Sequence, residues 1–152
     1  MNGESQTSMA DSRMILIIED TRVHRELMKY ELQDHYKLHF AYDSQMAQKY
    51  LNENSYDLVI IDTFLPPQPE ELPQSGEGLR ILQEIRALAS HVPVEKTPAK
   101  ILVVSAYLGD EERREIKASG VEKIFEKPFS LDEFKEYIDH LWDDDSHGPL
   151  AS

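Results

Sequence analysis

Three runs of consecutive apolar residues limit what this chain can fold into: Met14-Ile15-Leu16-Ile17-Ile18, Leu58-Val59-Ile60-Ile61 and Ile101-Leu102-Val103-Val104. Runs with no polar alternation read as strands covered on both faces, the place a central strand takes in a parallel sheet. Each ends on a polar side chain. Glu19-Asp20 follow the first, Asp62 the second and Ser105 the third. A further strand-like segment, Lys123-Ile124-Phe125-Glu126, ends at Lys127-Pro128-Phe129. Open α/β sheets collect their chemistry at the C-terminal strand ends. The pattern therefore brings acids, a hydroxyl and an amine over one sheet edge. That set suits phosphoryl transfer to a carboxylate with a metal ion present.

Helical patterns separate the strands. Residues 21–34 carry Val23, Leu27, Met28 and Leu32 at roughly helical spacing. Segment 36–42 alternates weakly, as an edge strand would. Ser44 can cap a helix bearing Met46, Ala47, Tyr50 and Leu51. After strand 57–62 a long loop, 63–77, leads to a helix with Leu79, Ile81, Leu82, Ile85 and Leu88. Pro93 and Pro98 break the chain before strand 100–105. Residues 110–119 form a polar helix closed by Gly120. Ser130-Leu131-Asp132-Glu133 is a capping box opening a helix that buries Leu131, Phe134, Ile138 and Leu141. Five strands alternating with five helices predict an α/β, doubly wound, flavodoxin-like parallel sheet of strand order 2-1-3-4-5, with helices on both faces.

Bulk properties exclude several classes. A length of 152 residues suits one domain with a full core. A net charge of −13 disfavours direct contact with nucleic acid. No apolar stretch is long enough to span a bilayer, and the first residues lack the basic and apolar parts of a signal peptide. The absence of cysteine excludes disulfides and thiol chemistry and fits a reducing, cytoplasmic setting. The expected organisation is a disordered lead-in over 1–12, a domain over 13–142 and a polar flexible tail over 143–152.

These residues together resemble a response-regulator receiver domain, the phospho-acceptor half of two-component signalling. The resemblance covers roughly residues 13–142. It rests on Glu19-Asp20, Asp62-Thr63-Phe64-Leu65-Pro66, Ser105-Ala106 and Lys127-Pro128-Phe129, in that order and each at a strand end. It implies that Asp62 is the phospho-acceptor. Asp20 would ligate Mg²⁺ directly, Glu19 through water, and Phe64 through its backbone carbonyl. Ser105 would hydrogen-bond the phosphoryl group, and Lys127 would pair with Asp62 or the phosphoryl oxygens. The implied donor is a histidine kinase or a histidine phosphotransfer protein. The implied output is a downstream protein, or a second copy, engaging the 110–142 face. If the chain is complete it is a stand-alone receiver, with no output module following.

Taken singly, each motif has a plainer reading. Acids favour helix N-termini, an aspartate caps turns, a serine fills a loop, and a lysine sits in solvent. All four in register outweigh those readings. His24 is the one histidine close to the predicted site, and it reads as having no chemical role. Trp142 reads as core or helix-end packing.

The chain also departs from the family pattern. Gly78 resembles the glycine that follows the phospho-acceptor, but with extra residues inserted around Pro67–Gln74. That insertion reads as a tolerated surface loop. The alternative is that it borders the site and shapes partner choice. Ile124 stands where many receivers carry a switching aromatic, and Phe125 should face the other side of its strand. Phe64 and Tyr107 flank the path that the family's attacking water takes, which implies slow self-dephosphorylation. Two rival functions remain. One is a phosphorylation-independent scaffold. The other is a haloacid-dehalogenase-type phosphatase, disfavoured because the position of its second aspartate is Phe64.

Overall fold

The computed structural model describes residues 13–89 and 100–143. The expected lead-in, Pro93 and Pro98, the tail from residue 144 onward and the side chain of Leu88 lie outside the described residues. Strand β1 (Met14–Ile18) is followed by α1 (Arg22–Leu32), β2 (Lys37–Ala41), α2 (Ser44–Glu53) and β3 (Leu58–Asp62). Two short strands come next, β4 (Phe64–Leu65) and β5 (Gln74–Ser75), and then α3 (Glu77–Ala89). The chain continues through β6 (Lys100–Ser105), α4 (Asp110–Ala118), β7 (Lys123–Glu126) and α5 (Leu131–Asp139).

The main sheet has the order β2-β1-β3-β6-β7, all parallel. This is the flavodoxin-like order expected from the sequence, with the three apolar runs in the middle. Their side chains alternate between faces. Ile15, Ile17, Leu58, Ile60, Leu102 and Val104 meet Met28 and Leu32 of α1 and Phe134 and Ile138 of α5. Leu16, Ile18, Val59, Ile61, Ile101 and Val103 meet α2, α3 and α4 through Ala47, Ile81, Leu82 and Ile116. Burying each such side chain contributes on the order of 2 kcal/mol. The three central strands thus form a stiff floor whose C-terminal ends are fixed. Ile124 packs on the α2–α4 side and Phe125 on the α1–α5 side, as the alternation requires. Trp142 packs into the α1–α5 layer beside Tyr36, with the Arg13 guanidinium 4.2 Å over its ring.

Three expectations need correction. Helix α2 is capped by Asp43, whose carboxylate accepts from the Met46 N–H at 2.8 Å, while Ser44 Oγ donates to Glu77 at 2.5 Å. Asp43 sits one residue earlier with extended backbone, so it fits the capping geometry that Ser44, already helical, cannot adopt. Val23 and Leu27 are exposed, because the inward stripe of α1 is His24, Met28 and Leu32. The loop 63–77 is in part a hairpin: β4 and β5 pair antiparallel, Phe64 with Ser75 and Leu65 with Gln74. Leu65 is fully buried, and the carbonyls of Pro66 and Pro67 accept from the N–H groups of Ser44 and Gln45 at 2.9 and 3.0 Å. The insertion thereby supplies partners to the open N-terminus of α2.

Gly78 lets that hairpin return tightly to β3. Its N–H donates to the Thr63 carbonyl at 3.3 Å. A Cβ at Gly78 would lie 2.6 Å from Thr63 Cα and closer still to the Asp62 carbonyl oxygen. Those atoms are backbone and cannot swing aside. Gly78→Ala should therefore lower the unfolding free energy by about 2 kcal/mol, measured by urea denaturation.

Candidate functional site

The groups predicted from strand ends meet at the C-terminal edge of the sheet. Glu19 is fully buried, and its N–H donates to the Ala41 carbonyl at 2.9 Å, carrying the β1–β2 pairing one residue past the strand. Arg25 Nη1 donates to the carbonyl oxygens of Glu19 and Asp20 at 3.1 and 2.8 Å. Its guanidinium lies 3.9 Å over the Tyr42 ring. Helix α1 thus ties down the backbone that carries both acids.

Asp62 closes β3 and is buried. Its Oδ1 accepts from the Phe64 N–H at 2.9 Å, and its Oδ2 from Lys127 Nζ at 2.8 Å. Lys127 reaches this point because its N–H donates to the Ser105 carbonyl at 2.7 Å, extending the β6–β7 pairing. The same ammonium donates to Glu19 Oε1 at 3.0 Å and lies 3.0 Å from His24 Nδ1. Ser105 is fully buried. Its Oγ accepts from Thr63 Oγ1 at 2.8 Å and donates to the Tyr107 carbonyl at 2.7 Å.

Electrostatics follow from this crowding. Carboxylate oxygens of Glu19, Asp20 and Asp62 lie within 4.8 Å of one another. Burial, and then the charge of Glu19, push Asp62 up to about 6, against the hydrogen bond and charge of Lys127. Burial and the charge of Asp62 raise Asp20. Burial alone would lower the Lys127 amine, but its bond to Asp62 and the charges of Asp62 and Glu19 outweigh that and raise it. Burial and the Lys127 charge lower His24, whose Nδ1 also lies 3.6 Å from Glu19 Oε2. Three carboxylates facing one ammonium form a donor set suited to a hard divalent cation.

The sequence-predicted residues Glu19, Asp20, Asp62 and Lys127 come together directly, and Ser105 joins them through Thr63. Phe64 contributes its N–H and Tyr107 its carbonyl, while the side chains of both are exposed, Tyr107 to 85%. The sequence places His24 near the site but without a role, and gives Arg25 and Thr63 none; the structure puts all three in contact with it. The spacing His24, Met28, Leu32 could have found the first, since it places His24 on the inward stripe at the site end of α1.

Residues 15–139 match the family described as the response regulator receiver domain. The virulence transcriptional regulatory protein PhoP of Salmonella typhimurium is 30% identical over 120 residues, which is 78% of this chain and 47% of that protein. The sensor histidine kinase RcsC of Salmonella typhi is 29% identical over 129 residues, 84% of this chain and 12% of that one. The chain therefore spans less than half the length of either curated relative. A CheY-like response regulator receiver domain protein from Methanospirillum hungatei JF-1 has the same fold, with a TM-score of 0.72 at 19% identity, covering 88% of this chain and 96% of that one. With this match running from residue 15 in β1 to the end of α5 and taking in the strand-end groups, the chain belongs to the response regulator receiver domain family.

Proposed function

We propose that Asp62 accepts a phosphoryl group from a histidine kinase or histidine phosphotransfer protein, with Mg²⁺ present, and that the aspartyl phosphate switches a partner-binding face. The observation that carries this reading is the Lys127 ammonium 2.8 Å from a buried Asp62 inside a three-carboxylate cluster. Glu19, Asp20, Asp62 and the Phe64 backbone carbonyl would hold the metal, which supplies positive charge to the transferring phosphoryl oxygens. An Asp62 oxygen attacks phosphorus, the donor's P–N bond breaks, and the imidazole leaves with its electron pair. Lys127 neutralises charge on the group being transferred. Val23, Leu27 and Tyr30, exposed at i, i+4 and i+7 on α1, offer an apolar ridge beside the site for a protein donor.

The switch follows from Ser105. To donate to a phosphoryl oxygen its hydroxyl must leave the Tyr107 carbonyl, which frees the segment leading into α4. That helix buries only Ile116, so it is loosely anchored. Phe125 is packed against Phe129, Phe134 and Tyr137 at centroid distances of 5.3, 5.4 and 5.7 Å. Loop and helix motion, rather than a swinging aromatic at Ile124, then carries the signal to the α4–β7–α5 face. The phosphatase rival lacks its second acid, because Phe64 fills that position. The scaffold rival leaves the buried acid–lysine set without a purpose.

Incubation with Mg²⁺ and acetyl phosphate should add one phosphoryl mass to the protein and none to Asp62→Asn. No adduct on the wild type from acetyl phosphate or from a histidine kinase would overturn the reading in favour of a scaffold. Mg²⁺ should also stabilise the wild type, by about 1.4 kcal/mol at ten times Kd. Thermal unfolding should show most of that gain lost in Asp20→Asn. The rim aromatics Phe64 and Tyr107 crowd the approach of water to the aspartyl phosphate. Phe64→Asn together with Tyr107→Glu should shorten its lifetime about three- to tenfold, up to about 1.4 kcal/mol of barrier, followed by the decay of the mass adduct.

A further inference from the structure

We infer that His24 is a positioning residue for Lys127, holding its ammonium over Asp62 while the phosphoryl group is transferred. This rests on Asp62 being the phospho-acceptor. An ammonium has three protons to donate and no lone pair. Each has one acceptor in this structure: Asp62 Oδ2 at 2.8 Å, Glu19 Oε1 at 3.0 Å and His24 Nδ1 at 3.0 Å. Because Lys127 can only donate, it sets the tautomer, with the lone pair on Nδ1 and the ring proton on Nε2. The first two acceptors are the charges the amine neutralises. The third is a ring nitrogen outside the carboxylate set, which supplies direction to the amine.

That direction matters because the amine has another place to go. Lysine ends a flexible four-carbon stem. Lys127 lines a groove of about 230 Å³ between α1 and the start of α5, together with His24, Leu27, Met28, Phe129 and Leu131. An ammonium that turned into this groove would be hydrated there and would no longer face the carboxylates. His24 is well placed to prevent the turn. It follows the helical stripe of Met28 and Leu32, both buried in the core, so the backbone that carries it is held independently of the lysine, while its side chain is 40% exposed. During transfer Lys127 moves its contacts from carboxylate to phosphoryl oxygens. Its contact with His24 involves no reacting oxygen and persists as the pivot. A group held within a fraction of an ångström of its productive place contributes directly to the rate.

The test is the phosphorylation rate of the full chain from acetyl phosphate with Mg²⁺, followed by intact mass across a range of donor concentrations. His24→Leu should lower the saturating rate constant about tenfold, equal to about 1.4 kcal/mol, with the half-saturating concentrations of donor and Mg²⁺ unchanged. His24→Asn places a carbonyl oxygen near the Nδ1 position and should recover the rate to within about threefold of wild type. A purely structural role would not give that rescue, since asparagine fills less space than leucine and is the poorer helix former. Should His24→Leu fail to fold, His24→Ala makes the same comparison. A wild-type rate in His24→Leu, or His24→Asn as slow as His24→Leu, overturns the role of His24 while leaving Asp62 as acceptor. A wild type that takes up no phosphoryl group overturns both.

Discussion

The ammonium of Lys127 holds two buried carboxylates at once, and the arrangement at the sheet edge depends on it. Glu19 and Asp62 are both nearly inaccessible to water. A buried carboxylate with no partner costs several kcal/mol. Lys127 relieves that cost for both, but one positive charge cannot balance Glu19, Asp62 and the adjacent Asp20. The imbalance appears in the raised positions of Asp62 and Asp20. A site left negative in this way is built to receive more positive charge. Three carboxylates against one ammonium make a donor set that fits a hard divalent cation.

That imbalance is tolerable because it rests on a rigid base. The interior strands β1, β3 and β6 are covered by helices on both faces, and their ladders fix the height of Glu19, Asp62 and Ser105 relative to one another. Single backbone bonds extend the pairing just past the strands: Glu19 to Ala41, Thr63 to Val104 and Lys127 to Ser105. Each holds a strand-end side chain, or its neighbour, at the sheet edge in a set orientation. The hairpin of β4 and β5 adds a second support. Its carbonyls finish the N-terminus of α2, and Gly78 closes it against the backbone of Asp62 and Thr63. Between these two supports the residues 68–72 are exposed, as a surface loop would be. Opposite this stiffness stands α4, with one buried residue, next to Ser105, whose hydroxyl donates to the Tyr107 carbonyl.

The fold and most of the candidate site were legible in the sequence because both depend on local pattern. Unbroken apolar runs define central strands wherever they occur, and a polar residue at the end of such a run is placed by the sheet itself. Asp62, Glu19, Asp20, Ser105 and Lys127 therefore needed only their order along the chain. Contacts between elements were decided by the tertiary structure. Capping by Asp43 rather than Ser44 depended on where the helix began, a matter of one residue. Pairing of β4 with β5 depended on the return path that Gly78 allows. Val23 and Leu27 share the apolar character of Met28, and only the position of the sheet determined that the inward stripe runs through His24. The ring of His24 meets Lys127 across 103 residues of sequence. No local pattern specifies such a meeting, because it is set by the packing of α1 against the end of β7 and not by the chemistry of either segment alone.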